Sequence, residues 1–394
     1  MSAEVAEDAE HSRPVAWQEG VYNLLRRHNV TQLAYVPDAG HRILIARSLA
    51  DPSVHSVPLT TEEEGVALLA GADLGGARGV LLMQSSGVGN CVNMLSLIQA
   101  GRFPFLALIS MRGDFGEGNP WQYPMGKACQ PVLEAMGVTC LRAESPDEVL
   151  ATVSAALTMV FQAAARWRCS LPRSSSAPRS SEGKRAMATH FAGRDMGSAA
   201  APAFLLDRRQ AVPALIGRHQ DFLIVTGLAG TSRDIAALTG DGAHTYTMAG
   251  AMGGACMIGL GLALARRDKQ VLVVTGDGEL LMNIGSLATI AVMNPPNLSV
   301  VCVDNGHYGE TGYQQSHTSL GVDLEKIAAG SGIKRTLSIE QEADLGAGAR
   351  FIREGNGASF LLLRVKPTEP PAYKRELDPA SCRTRFRAAN VQVA

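Results

Sequence analysis

The stretch VLVVTGDGELLMNIGSLATIAVMNPPNLSVVCVDNGH (271–307) holds two β-branched apolar runs separated by a helical segment. Each run ends abruptly on a turn: Gly276-Asp277-Gly278 after the first, Asp304-Asn305-Gly306-His307 after the second. Strand, turn, helix and strand in this order imply neighbouring parallel strands of an open α/β sheet. In such sheets ligands collect at the carboxyl ends of the strands, where Asp277 and Asn305 fall. A hard dication takes oxygen ligands, and Mg²⁺ is held by few protein groups together with phosphate oxygens. One carboxylate, one amide oxygen and one backbone carbonyl suit that need. Gly278, just before a helix, lets a diphosphate approach backbone amides closely. GDG alone is weak evidence; GDG with the following Asn, both at strand ends, is specific.

Working outward, the second half shows further buried strands in FLIVTG (222–227) and FLLLRV (360–365). The first half has its own alternation of short apolar runs and helices: QLAYV (32–36), VLLMQ (80–84), FLALIS (105–110) and VTCL (138–141). Its clearest helix is SPDEVLATVSAALTMVFQAAA (145–165), with Ser145 as cap and Pro146 in the first position. Between the halves, 166–204 is rich in Arg, Ser, Ala and Pro without apolar periodicity, and reads as a linker expected to be mobile. The expected organisation is one α/β domain over 15–165, the linker, a second over 205–365, and a proline-rich basic tail over 366–394 that wraps the surface.

Composition bounds the function. The 394 residues are 46% hydrophobic and 19% charged, with formal net charge -1. That is enough chain for two full cores, and it offers no broad basic surface for nucleic acid or acidic membrane. No apolar run is long enough to span a bilayer, and the acidic, polar start is unlike a secretory signal. Seven cysteines without a CxxC pair suit a reducing cytoplasm and disfavour zinc or iron–sulfur sites.

The GDG…N pattern resembles the diphosphate-binding motif of thiamine diphosphate enzymes. The resemblance implies thiamine diphosphate and Mg²⁺ as cofactors, with Asp277, Asn305 and the backbone carbonyl of His307 as metal ligands, and Gly276, Gly278 and Glu279 beside the cofactor. In TMAGAMGGACMIGLGLALA (247–265), Met252 matches the apolar residue that props the cofactor in its bent shape, with Gly250 nearby. Thr231 and Ser232 of LAGTSRD are further candidates for holding the diphosphate, or only for capping a helix.

The first half resembles the pyrimidine-binding domain of the same enzymes, and the ordered set VPDAG (36–40), TTEEEGVALLAGADLGG (60–76), MQSSGVGNCVNMLSL (83–97) and SMRGDFGEGNPWQYPMGKACQPVLEAMGV (110–138) is similar to phosphonopyruvate and sulfopyruvate decarboxylases, which lack a middle domain. That likeness covers nearly all of 15–165 and 205–390. It implies two doubly wound parallel-sheet domains of the thiamine diphosphate-binding fold. The implied reaction is non-oxidative decarboxylation of a 3-substituted pyruvate to an aldehyde. The implied assembly is a homodimer or homotetramer with active sites between subunits. A glutamate nine residues before a helix glycine is the family's catalytic acid; Gly71 places it at Glu62, leaving Glu63 and Glu64 as an acidic first turn. Asn90 lies on the expected cofactor face. Arg112, Gln122 and Gln314 are candidates for the substrate anion, with surface pairing of Arg112 to Asp114 as its plain alternative.

TEEEG, NGHYGETGYQ (305–314) and RFR (385–387) look more like the sulfopyruvate enzymes, whereas two domains in one chain look like the phosphonopyruvate enzyme. The family also leads one to expect a strand after 165, where RWRCSLPRSSSAPRSS (166–181) is a poor strand former; without it an edge of the first sheet stays open. A carboligase using the same cofactor, or an inactive cofactor-binding relative, are the competing readings.

Overall fold

The apolar runs of the two halves assemble into two parallel sheets in a computed structural model that describes residues 16–114, 116–162 and 205–391. In the first, β1 (Val30–Tyr35), β2 (His55–Pro58), β3 (Arg78–Gln84) and β4 (Ala107–Ser110) lie in the order β2-β1-β3-β4. The second half supplies β5 (Phe222–Thr226), β6 (Thr245–Thr247), β7 (Gln270–Gly276) and β8 (Leu298–Asp304). A two-stranded hairpin follows, β9 (His307–Tyr308) with β10 (Gln314–Gln315), and then β11 (Arg335–Ile339) and β12 (Ser359–Arg364). The second sheet runs β11-β12-β8-β7-β5-β6, parallel throughout. β7 and β8 are adjacent, with Gly276 opposite Val303, so Asp277 and Asn305 leave the sheet at one end.

Both sheets start with the same strand order, second-first-third-fourth. In the second sheet the fourth strand, β8, is covered by two more and is buried along its whole length. In the first, the fourth strand β4 has no further neighbour among the described residues, and all four of its residues are half-buried. VTCL, expected as a strand, forms no ladder with any described residue, and Leu141 is exposed. A strand exists only where a neighbour satisfies its amides and carbonyls, and VTCL has none among the described residues. A cavity of about 280 Å³ opens beside the loop that follows β4, lined by Met111, Lys127 and Arg142. The linker over 166–204 lies outside the described residues.

The helix Glu62–Leu74 joins the halves. It crosses the helix Ala255–Ala265, and both are buried along nearly their whole length. Three glycines allow the close approach. A Cβ at Gly71 would overlap the carbonyl of Ile258, one at Gly261 the carbonyl of Leu68, and one at Gly75 the side chain of Ala265. Gln32 adds a buried hydrogen bond across the same boundary, Nε2 donating to the Gly261 carbonyl at 2.8 Å. Because the obstacle at Gly71 is backbone, it cannot swing aside. Gly71→Ala is expected to lower stability by about 1–3 kcal/mol in chemical denaturation. At Gly330, where a Cβ meets nothing within 4 Å, the same change should stay within about 0.5 kcal/mol of the parent.

The tail departs from expectation in its last part. Cys382 and Phe386, one helical turn apart in the helix Pro379–Asn390, are buried, so this helix packs inward. Arg383 pairs with Asp73 at 2.6 Å and lies over the ring of Phe103, and Arg387 reaches the same carboxylate at 3.1 Å. Asn390 donates to the Ala243 carbonyl of the second half at 2.8 Å. The RFR motif thus belongs to a strap across both halves. Among the described residues no helix is long and apolar enough to cross a membrane.

Candidate active site

Asp277 opens the short helix Asp277–Met282 directly after β7 and is 3% exposed. One carboxylate oxygen, Oδ2, accepts hydrogen bonds from the hydroxyls of Ser316 and Thr318, the latter at 3.2 Å. Thr318 also donates to Asp304 at 2.7 Å. Burial raises the Asp277 carboxyl above its usual range, opposed by these hydroxyls, and pushes Asp304 up to about 6. A divalent cation beside Asp277 would favour its anionic form. Asn305 is 7% exposed and its Oδ1 accepts from the His307 amide at 3.2 Å. The His307 ring is tied to the Asn305 carbonyl at 2.9 Å. Among the described residues no three His, Cys, Asp or Glu side chains are grouped to hold a metal. A cation here therefore depends on amide, carbonyl and diphosphate oxygens beside Asp277, a donor set suited to Mg²⁺.

A bound diphosphate fits the surroundings. A Cβ added at Gly276 or Gly250 meets nothing within 4 Å, so both backbones face open space. At Gly278 a Cβ would overlap the ring of Tyr308, which makes glycine necessary for packing as well. Glu279 turns inward: Oε2 accepts from Leu228 N at 3.1 Å and Thr275 Oγ1 at 3.0 Å, Oε1 has no partner, and burial pushes the carboxyl up to about 7. Asn283 Nδ2 is also buried without a partner, one turn away. Half-buried Met252 sits in a tight turn between Ala251 (φ 54°) and Gly253 (φ 91°), the latter packed on Asn283. The hydroxyls of Thr231 and Ser232 donate to Leu228 and Ala229 carbonyls at 3.0 and 2.8 Å, which accounts for them within their own turn.

On the first half, Glu62 begins the helix Glu62–Leu74 and is 7% exposed. Its Oε2 accepts from Asn90 Nδ2 at 2.8 Å, and its carboxylate fills the space a side chain at Gly87 would need. Thr61 stands at the N-cap in extended conformation without a side-chain bond. Glu63 is half-buried, and burial raises its carboxyl. Glu64 departs from the acidic first turn expected of it: it is fully buried. Its carboxylate accepts from Thr60 and, at 2.6 Å, from Thr289 of the second half. A helix turns about 100° per residue, so Glu62 and Glu64 leave it in different directions, and each meets a different buried partner.

Arg112 pairs with Glu117, Nε to Oε2 at 2.6 Å and Nη2 to Oε1 at 3.0 Å; Asp114 pairs instead with Arg142. The Arg112 backbone amide donates to Ser85 at 3.2 Å. Gln122 lies beside this loop, with its carbonyl where a Cβ of Gly113 would fall. Gln314 is on the hairpin of the second half, exposed and bonded to Thr311. Sequence reasoning missed Ser316 and Thr318 around Asp277, and Thr289 opposite Glu64. None carries a local pattern, although Ser and Thr clustered after the GDG…N motif were visible as hydroxyl donors.

Residues 229–362 match the family model described as thiamine pyrophosphate enzyme, C-terminal TPP binding domain. The chain is 32% identical over 371 residues to the phosphonopyruvate decarboxylase of Streptomyces viridochromogenes, covering 91% of each. It is 30% identical over 384 residues to the sulfopyruvate decarboxylase of Methanosarcina acetivorans, covering 94% of this chain and 96% of that one. The second match spans both halves, so carrying both domains in one chain does not separate the two activities. In fold, it is similar to benzoylformate decarboxylase from Polynucleobacter necessarius, with TM-score 0.66 at 12% identity over 90% of this chain and 99% of that one. A GDG…N turn pair built around a buried aspartate, a buried glutamate opening a helix on the other half, and matches running through both halves lead to one assignment: the chain belongs to the thiamine diphosphate-dependent phosphonopyruvate and sulfopyruvate decarboxylase family and is a carboxy-lyase.

Proposed function

We propose that this chain, with thiamine diphosphate and Mg²⁺, decarboxylates a 2-oxo acid bearing an anionic group on C3, sulfopyruvate or phosphonopyruvate, to the aldehyde. The observation that carries the reading is the pair of buried carboxylates in different settings. Asp277 is oriented by hydroxyls at a strand end, and Glu62 by Asn90 at the start of a helix on the other half. The cofactor, when bound, supplies the electron sink for loss of carbon dioxide. Asp277, Asn305 and the His307 carbonyl would hold Mg²⁺, with Gly276, Gly278, Glu279 and Gly250 lining the cofactor and Met252 supporting its thiazolium side. Glu62 would share a proton with N1′ of the aminopyrimidine, where a positioned carboxyl acts as acid and base. Asn90 keeps that carboxyl turned toward its task.

Arg112 would meet the substrate's anionic group as half of an ion pair with Glu117, so binding requires Glu117 to yield or to share the guanidinium. Gln122 adds an amide beside it, and Gln314 approaches from the hairpin. The homodimer or homotetramer implied by the resemblance, with sites that combine halves of different subunits, is part of the same proposal. The six described cysteines are unpaired, which supports a reducing cytoplasm.

The test is carbon dioxide release from sulfopyruvate, phosphonopyruvate and pyruvate with thiamine diphosphate and Mg²⁺. One anionic substrate is expected to exceed pyruvate in kcat/KM by at least about a hundredfold, because a site that pairs an anion is left unpaired by its analogue. Equal use of pyruvate would refute the C3-anion specificity, and turnover only with an added aldehyde acceptor would refute simple decarboxylation.

A further inference from the structure

We propose that Glu64 is a positioning residue: through Thr289 it locks the catalytic helix of the first half onto the helical segment that begins with Asp277. The inference rests on the reading of Glu62 given above. Glu64 is fully buried, and its carboxylate is bonded to Thr60 beside it and to Thr289 of the second half. Its Oε2 accepts from Thr289 Oγ1 at 2.6 Å and from the Thr60 amide at 3.3 Å, while Oε1 accepts the Thr60 hydroxyl.

Three observations make this contact more than ordinary interface packing. First, Glu62 and Glu64 are two residues apart, about 200° around the helix. The first turn is therefore held from two sides, by Asn90 on one and Thr289 on the other. Second, Thr289 belongs to the helix Ser286–Met293, which follows the helix Asp277–Met282 after a short turn. The bond thus ties the Glu62 helix to the same piece of chain that starts at Asp277. Third, the seat is shaped for it: a Cβ at Gly285 would overlap Thr60 Oγ1, so the segment just before the catalytic helix rests directly on backbone of the second half. Burial raises the Glu64 carboxyl while its three bonds favour the anion, so a group costly to bury is kept where both halves supply donors.

The test uses the full chain with Thr289→Val, Thr289→Ser and Glu64→Gln. Thr289→Val keeps shape and removes the donor, and Ser returns it, so the result does not depend on Glu64→Gln folding. Two readouts are taken besides turnover: amide hydrogen exchange over 62–74 and 286–293 without cofactor, and the rate at which bound thiamine diphosphate exchanges its C2 proton with D₂O. Thr289→Val is expected to speed amide exchange at the first turn and to slow C2 exchange about 10- to 100-fold, with cofactor Kd within about threefold, because a small misplacement of an acid is costly to rate. Thr289→Ser is expected to restore both. The inference is overturned if Thr289→Val leaves C2 exchange within about twofold of the parent. It is equally overturned if the loss only tracks unfolding, or if Ser does not rescue. A parent chain that binds no thiamine diphosphate would sink the underlying reading first, and this inference with it.

Discussion

Glu62→Gln is expected to lower decarboxylation by about 10²- to 10⁴-fold while thiamine diphosphate still binds, the range a positioned acid–base group contributes. The substitution is close to isosteric, and its amide oxygen can still accept from Asn90 Nδ2, so the 2.8 Å contact that orients the side chain survives. What is lost is the ability to hold and release a proton. In the proposed site cofactor affinity would reside mainly on the other half, around Asp277, so it should change little. Glu63→Gln provides the contrast: Glu63 is half-buried and is not part of the Asn90 contact, and its loss should cost only a few-fold, as for a surface-side change. Single-turnover rates and cofactor titration on both variants decide the register. Loss of activity in Glu63→Gln with Glu62→Gln intact would shift the assignment by one residue.

Asp277→Ala is expected to abolish the stabilisation that thiamine diphosphate with Mg²⁺ gives the parent, and activity with it. Ligand at about a hundred times its Kd stabilises a protein by about 2.7 kcal/mol, so the lost increment is easily read in a melting curve. The apo protein should behave in the opposite direction. Asp277 is a buried carboxyl whose pKa is raised by desolvation, so without a cation it is costly to keep charged. Its removal should leave the apo melting temperature unchanged or higher, although Ser316 and Thr318 lose their acceptor. A variant that keeps the full cofactor-induced shift would show that the cation is held elsewhere.

Much of the fold was legible because its signals are local. VLVVTG and LSVVCV are short β-branched runs that end on Gly, Asp and Asn, and they became β7 and β8 with Asp277 and Asn305 just past their carboxyl ends. β6 and β11 were not legible: TYT and RTLSI are short or polar, and only their neighbours in the sheet make them strands. VTCL failed in the opposite sense, having a strand's composition without a partner among the described residues. The tail failed because Pro and Arg dominate its composition, whereas Cys382 and Phe386, spaced one turn apart, decide that the helix Pro379–Asn390 folds inward.

The glutamates separate what the chain determines by itself from what folding decides. Sequence alone puts three carboxylates at a helix start, where exposed amides favour negative charge, and only the family resemblance, through its nine-residue spacing to Gly71, points to Glu62 among them. The structure gives that spacing a reason, since Gly71 is where the helix meets the carbonyl of Ile258. Only the tertiary structure shows that Glu64 is fully buried and bonded to Thr289, a partner 225 positions away. Helical rotation fixes the angle between neighbouring side chains, but not what stands opposite each of them. That is set by long-range packing, which leaves no periodic trace in the sequence.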